Sequence, residues 1–260
     1  MRIEGNVALV TGAGSGLGKA TARHLHSRGA MVVLFDRDVE RGKAVASELG
    51  DRVHFVAGSI LDDHDIGRAI DAAADLGGLR SMFAIAGGVP GGVTTGRTVN
   101  RDGSAHNMDG FAKTVELNLL GTFNTLRLGA AAIAAQEPLN DDGERGAIVL
   151  TASIAGIEGQ IGQIAYGSAK AGIIGMTIIA ARDLAASGIR VNCIAPGTMG
   201  TEAWSLAPEE MRAALEAKVP FPRRFGDPRE FAELAEHLVT NGYLNGHVAR
   251  LDGAIRFDPR

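Results

Sequence analysis

Tyr166 and Lys170 stand four residues apart in Gln163–Ala186, a stretch whose pattern predicts a helix, so both side chains fall on one face. A protonated lysine beside a phenol favours the phenolate and makes tyrosine a usable acid/base near neutral pH. Ser153 comes thirteen residues before Tyr166, just past the end of a predicted strand. Its hydroxyl can donate to a substrate oxygen and stabilise charge that develops there. The chemistry such a trio suits is proton transfer on an alcohol or a ketone. A Tyr-x-x-x-Lys pair alone arises by chance in many helices, so its weight depends on what accompanies it.

Two further features accompany it. The run Thr11-Gly12-Ala13-Gly14-Ser15-Gly16-Leu17-Gly18 closes the first predicted strand and opens a helix. Such a turn lets backbone approach a pyrophosphate, with helix N–H groups aimed at the anion. The strict G-x-G-x-x-G spacing fails, because Leu17 falls where its third glycine would stand, and a glycine-rich turn without a ligand is the plainer alternative. Asp36 ends the second predicted strand, eighteen residues after Gly18. A carboxylate there can accept from both adenosine ribose hydroxyls and repels a 2′-phosphate, which favours NAD over NADP. Arg37 could soften that repulsion, although no basic residue lies inside the glycine turn. Asp36 could instead cap the helix that begins at Val39.

These residues must be positioned by an alternation of short apolar runs with longer amphipathic ones. Strands are predicted at Val7–Val10, Ala30–Phe35, Val53–Val56, Met82–Ile85, Ala147–Leu150, Ile189–Ile194 and His247–Leu251. Helices are predicted at Gly16–Ser27, Val39–Leu49, near Asp63–Asp75, Asp109–Ala135, Gln163–Ala186 and after Asp227-Pro228, where a cap precedes a proline. Continuously apolar strands belong to a parallel sheet covered on both faces. The expected architecture is a single α/β domain over 1–260, a doubly wound (Rossmann) sheet of about seven strands with helices on both faces. Gly87–Asn107 and Met199–Arg224 interrupt the rhythm and are expected to act as loops over the site.

Taken together, these pieces resemble the short-chain dehydrogenase/reductase family over essentially the whole chain. The matching elements are TGAGSGLG (11–18), Asp36, Asn118 in VELNLLGTFN, Ser153, Tyr166-Gly-Ser-Ala-Lys170 and Pro196-Gly197. The resemblance implies that Tyr166 is the general acid/base, that Ser153 positions the substrate oxygen, and that Lys170 tunes Tyr166 and holds the nicotinamide ribose. It implies that Asn118 holds a water in a proton relay, and that Pro196, Gly197, Met199 and Thr201 clasp the nicotinamide. It adds Gly12, Ser15, Gly16, Leu17, Gly18, Ile60, Ala86 and Gly87 to the cofactor contacts. Ser59 stands where the family usually has the Asp that binds adenine, and Ala84-Ile85 where it usually has Asn-Asn. The first departure predicts a loss of about 1 kcal/mol of cofactor affinity; the second bears on strand bracing. A narrower resemblance, in 158–177, 219–228 and 244–256, is to the type-2 3-hydroxyacyl-CoA dehydrogenases, which are also 17β-hydroxysteroid dehydrogenase-like. It implies an acyl-CoA or steroid-like alcohol as substrate, with Gln163 facing it, and a homotetramer paired through the helices at 109–135 and 163–186.

Bulk properties narrow the alternatives. A net charge of −4 without long blocks of like charge argues against nucleic acid or an anionic membrane as partner. No apolar stretch is expected to reach the length of a membrane span. The single cysteine, Cys193, is expected to be a small buried residue and fits a reducing, cytoplasmic setting. His24 and His26 point in different directions on a helix, and no other His, Asp or Cys grouping has ligand spacing, so no metal is expected. Asp141–Arg145 reads as a solvated turn. Trp204 and Phe221 could line a substrate pocket or pack on a neighbouring subunit, with the pocket favoured for Trp204. Two other functions stay open: an NADPH-dependent 3-oxoacyl or other ketone reductase, and a non-catalytic NAD-binding scaffold or redox sensor.

Overall fold

A computed structural model describes residues 1–89, 96–204 and 207–257. The strands are β1 (Val7–Thr11), β2 (Met31–Asp36), β3 (Val53–Ala57), β4 (Leu79–Ala84), β5 (Gly146–Thr151), β6 (Ile189–Pro196) and β7 (Val248–Leu251). The α-helices are α1 (Gly16–Ser27), α2 (Val39–Leu49), α3 (Asp63–Asp75), α4 (Met108–Val115), α5 (Gly121–Ala134), α6 (Ala155–Glu158), α7 (Ile164–Asp183), α8 (Glu209–Glu216) and α9 (Pro228–Thr240). The seven strands form one sheet in the order β3-β2-β1-β4-β5-β6-β7, every pairing parallel.

Alternation along the strands divides the core in two. Ala8 and Val10 of β1 join Val32 and Leu34 of β2 against Leu25 of α1, Val45 of α2 and Phe231 of α9. Leu9, Val33, Met82 and Ile148 face the other way, against Ile66 of α3, Ile133 of α5 and Ile173 of α7. This is the period of two that a pleated strand imposes. At the opening of α9, Asp227 and Glu230 form a reciprocal capping box with Pro228 in the first turn.

Three expectations are corrected. The helix foreseen over 109–135 is interrupted by a π-helical turn, Glu116–Leu120, which places Asn118. The segment after Met199 is not bare loop, since it carries a short 3-10 turn, Glu202–Trp204, and α8. Helix α7 is long and apolar enough by composition to cross a membrane, contrary to the sequence reading. Its buried face, including Ile173, Ala180 and Ala181, packs on β6 and the core beneath, so it serves as a sheet-covering helix.

Asp141–Arg145 is a solvated turn only in part. Asp141 and Asp142 are exposed, but Glu144 is buried. Its carboxylate receives Arg190 of β6 at 2.8 Å and the N-terminal ammonium at 2.9 Å. Arg190 also donates to the carbonyls of Leu238 at 2.8 Å and Leu244 at 2.9 Å, tying β6 to the end of α9 and the chain beyond it. Removing one partner of a buried pair strands the other charge. Arg190→Ala is therefore expected to lower the unfolding free energy by about 3–5 kcal/mol in urea titrations. A change no larger than that of an exposed arginine would contradict this role.

Candidate active site

The order of the sheet reverses between β1 and β4, and chains leaving the carboxyl ends on either side of that point diverge to form a crevice. A cavity of about 1070 Å³ occupies it, running from Asp36 and Arg37 at one end to Ser153 and Tyr166 at the other. Its wall includes Gly12, Ser15, Gly16, Leu17, Ser59, Ile60, Ala86, Gly87, Lys170, Pro196, Gly197, Met199 and Thr201, all anticipated as cofactor contacts. Gln163 and Trp204 line it as well, and Trp204 also packs against Phe225, ring centroids 5.5 Å apart. Phe221 is 82% exposed and does not line the cavity. Residues 90–95 and 205–206, within the two expected loops, lie outside the described residues.

Two anticipated contacts are not on the wall. A Cβ on Gly18 would stand 2.1 Å from the carbonyl oxygen of Gly12, so this glycine lets α1 close against the turn before it. Asn118 is fully buried, its Nδ2 donating to the carbonyls of Thr114 at 2.9 Å and Gly88 at 2.6 Å, while its Oδ1 accepts from Gly88 N–H at 3.0 Å. It thereby pins the chain leaving β4. A Cβ on Gly87 would meet Asn118 Oδ1 at 2.9 Å and Lys170 Nζ at 3.5 Å, so the two side chains converge behind that glycine.

At the adenosine end, Asp36 Oδ2 accepts from Gly14 N–H at 2.8 Å and Oδ1 from Asp38 N–H at 2.9 Å. Asp38, not Asp36, caps α2, which leaves Asp36 facing the cavity. Helix α1 begins at Gly16, its N-cap Ser15 makes no side-chain cap, and its first turn has no acidic residue. Its N–H groups are thus available to an anion, as a dinucleotide pyrophosphate requires. The residues present fit a nicotinamide dinucleotide. Ser59 Oγ accepts from Leu61 N–H at 3.2 Å, and Asp65 Oδ2 accepts from Ser59 N–H at 2.9 Å. The bracing that Ala84-Ile85 cannot supply from side chains comes from Thr11, whose hydroxyl accepts from Ile85 and Ala86 N–H at 3.0 and 3.1 Å.

At the catalytic end, Lys170 Nζ is buried, donates to the Thr151 carbonyl at 2.9 Å and lies 5.6 Å from the centroid of the Tyr166 ring. Burial lowers its pKa from 10.5 to about 8. Burial also pushes the Tyr166 phenol above its ordinary value, and a hydrogen bond with Ser153 opposes that shift. The sequence did not point to Thr151, whose carbonyl holds the lysine, or to Thr11; no spacing rule marks a backbone acceptor.

Elsewhere, Cys193 is buried, and burial raises its thiol to about 11, as expected of a packing residue. Asp62, His64 and Asp65 bring ligand atoms within 4.8 Å of one another. However, Asp62 caps α3, and Asp65 pairs with Arg68 at 2.6 Å besides holding Ser59 N–H.

Comparison with known proteins settles the class. Residues 6–212 match the family model described as short chain dehydrogenase. The chain belongs to the short-chain dehydrogenase family. It is 43% identical over 258 residues to the 3-hydroxyacyl-CoA dehydrogenase type-2 of Drosophila melanogaster, covering 99% of this chain and 100% of that one. It is 31% identical to the 3-oxoacyl-[acyl-carrier-protein] reductase of Thermotoga maritima, over 98% of this chain and 99% of the other. A crystal structure of 3-hydroxyacyl-CoA dehydrogenase type-2 from Mycobacterium avium superposes with a TM-score of 0.95 at 54% identity, covering 98% of each chain. The protein is accordingly an oxidoreductase of this family with a nicotinamide cofactor, and the non-catalytic scaffold is set aside.

The buried lysine has a measurable consequence. Between about pH 8 and 10.5 the unfolded chain carries a proton on Lys170 that the folded chain has released, so folded stability rises with pH across that window. Lys170→Met lacks this titration. The unfolding free energy of wild type relative to Lys170→Met should rise by up to about 3 kcal/mol from pH 7 to above 10.5. A difference that stays flat with pH would show that Lys170 keeps an ordinary pKa in the fold.

Proposed function

We propose that the enzyme interconverts 3-hydroxyacyl-CoA-like secondary alcohols and their ketones with NAD(H), Tyr166 moving the hydroxyl proton. The observation that carries this reading is the convergence of Ser153, Tyr166 and buried Lys170 on one end of a cavity whose other end presents Asp36. The cofactor, when bound, supplies or accepts the hydride. Ser153 holds the substrate oxygen and, through its bond to Tyr166, favours the phenolate. Tyr166 then takes the proton as the alcohol is oxidised and returns it in the reverse direction. Lys170 is placed to hold positive charge beside the ring and to bond the nicotinamide ribose, while Asn118 holds the chain against which it rests. The acyl-CoA assignment is supported by the names of the relatives; a steroid-like alcohol is the variant of the same reading.

Asp36 supports NAD over NADP. Arg37 and Arg41 line the same end and favour the second reading, a reductase using NADPH; Arg41 is drawn toward Asp38, Nε to Oδ2 3.4 Å. With NAD and a panel of alcohols that includes 3-hydroxyacyl-CoA, wild type should turn over, and Tyr166→Phe should lose turnover while still binding NADH. Undiminished turnover by Tyr166→Phe would sink the mechanism, and a preference for NADPH would hand the case to the second reading.

We further propose a homotetramer in a reducing, cytoplasmic compartment. Exposed Leu120 and Phe123 at and after the π turn, and Ile178 and Ile179 on α7, support subunit pairing through these helices. Light scattering at micromolar protein should give about four times the 27.0 kDa chain mass; a monomer would refute the assembly.

A further inference from the structure

The segment after β7 folds back to the site. Arg250 and Arg256 converge on Glu158 of α6, at 2.7 and 3.2 Å, and Arg256 also reaches Asp252 at 3.3 Å. Glu158 Oε2 accepts from Phe257 N–H at 2.8 Å, so the carboxylate fixes the backbone that presents this ring. Glu158 and Asp252 are largely shielded from water, with side-chain exposures of 16% and 8%, which makes the pairing stronger than a surface bridge. The turn that feeds the segment is tight. Gly253 has φ +55°, and a Cβ there would stand 2.6 Å from Val219 Cγ1. A Cβ on Gly197 would meet Asp252 Cβ at 2.9 Å, so the turn is also seated on the stretch expected to clasp the nicotinamide.

Phe257 packs with Ile154, Val219 and Ile255 in a small apolar cluster separate from the two main cores. Ile154 is the residue next to Ser153, and Phe257 lines the same cavity as Ser153, Gln163 and Tyr166. We propose that Phe257 is a specificity-determining wall of the substrate end, held there by Glu158, and that it limits the bulk of the group attached to the reacting carbon. The inference rests on the alcohol–ketone reading above. An apolar wall discriminates by volume: extra carbons that meet the ring cost affinity, and truncating it admits them.

Acetoacetyl-CoA and benzoylacetyl-CoA share one handle and differ in bearing a methyl or a phenyl beside the ketone. Turnover is followed by NADH oxidation, and binding to the NAD⁺ complex, which cannot react, by isothermal titration calorimetry. Phe257→Ala should raise the benzoylacetyl-to-acetoacetyl ratio of kcat/KM, and of affinity, about tenfold or more. Phe257→Trp should lower it, Glu158→Gln should move it in the direction of Phe257→Ala, and NADH affinity should stay the same throughout. Ratios unchanged in both Phe257 variants, or a change matched by loss of NADH affinity, would overturn the wall. If wild type binds both ketones without turning them over, the reaction assignment fails while the binding ratios still decide the role of Phe257. If neither ketone binds any of these proteins, both readings fail.

Discussion

Burial of the central strands on both faces constrains everything else in the fold. β1, β5 and β6 are buried along their full length and β4 along nearly all of it, with helices above and below. A polar side chain inside such a strand must find its partners within the protein or lose the hydrogen bonds it had in water. Asn192 and Arg190 do find them, whereas the hydroxyl of Thr151, at the cavity end of β5, has no partner among the described residues. Asn192 in β6 donates to the Leu244 carbonyl at 2.8 Å and accepts from His247 N–H at 3.0 Å, joining the strand to the turn before β7. Arg190 is satisfied in the same way by Glu144 and by carbonyls at the end of α9 and beyond it. Side chains with uncommitted chemistry are left to the rim where the strands stop, and the sheet's reversal opens that rim into the cavity.

Lys170 shows how closely the chemistry depends on that rim. It comes from a helix that covers the sheet, yet its ammonium reaches the last residue of β5 and is held there by a backbone carbonyl. A neutral dipole compensates a buried charge only in part, and the pKa falls to about 8 as a result. At neutral pH the group is therefore mostly charged but carries a desolvation cost. A dinucleotide whose ribose hydroxyls were held by Lys170 would offer further acceptors and so favour the charged form. Cofactor binding would then bear on the charge beside Tyr166 through this one residue, which gives the Tyr-x-x-x-Lys spacing a use that extends beyond geometry.

The parts legible in the sequence were those encoded in periodicity and side-chain type. Seven strands fell within two or three residues of their observed bounds because their apolar runs are continuous. Ser153, Tyr166, Lys170 and the glycine turn met in one cavity because the ends of parallel strands share one edge. What escaped were features that depend on backbone geometry or on partners distant in sequence. The π turn at Glu116–Leu120 has no pattern of its own, since Asn118 reads like any polar residue in a helix. The burial of Glu144 could not be read from an acidic stretch, because its partners, Arg190 and the N-terminus, are far away along the chain. Likewise Phe257 joins the site only through the return of the chain after β7.

The departures from the family pattern fall at strand ends on the cofactor side, and the structure shows why they are tolerable. Where Ala84-Ile85 offers no amide side chains, the hydroxyl of Thr11 accepts from two successive backbone N–H groups and donates toward the Phe83 carbonyl at 3.3 Å. The joint between β1 and β4, on which the crevice depends, is thus kept by a different residue. At Ser59 the substitution is less complete. Asp65 retains a carboxylate next to this turn, but it is committed to Ser59 N–H and to Arg68, and the serine hydroxyl already accepts from Leu61. Its second lone pair would be left for an adenine amino group, a neutral contact where the family pattern has a charged one. The expected deficit would concern uniform binding of the dinucleotide, which raises the cofactor concentration needed without altering the hydride step. The proposed preference for NAD would then rest on Asp36, whose carboxylate is fixed by Gly14 and Asp38 before any ligand arrives.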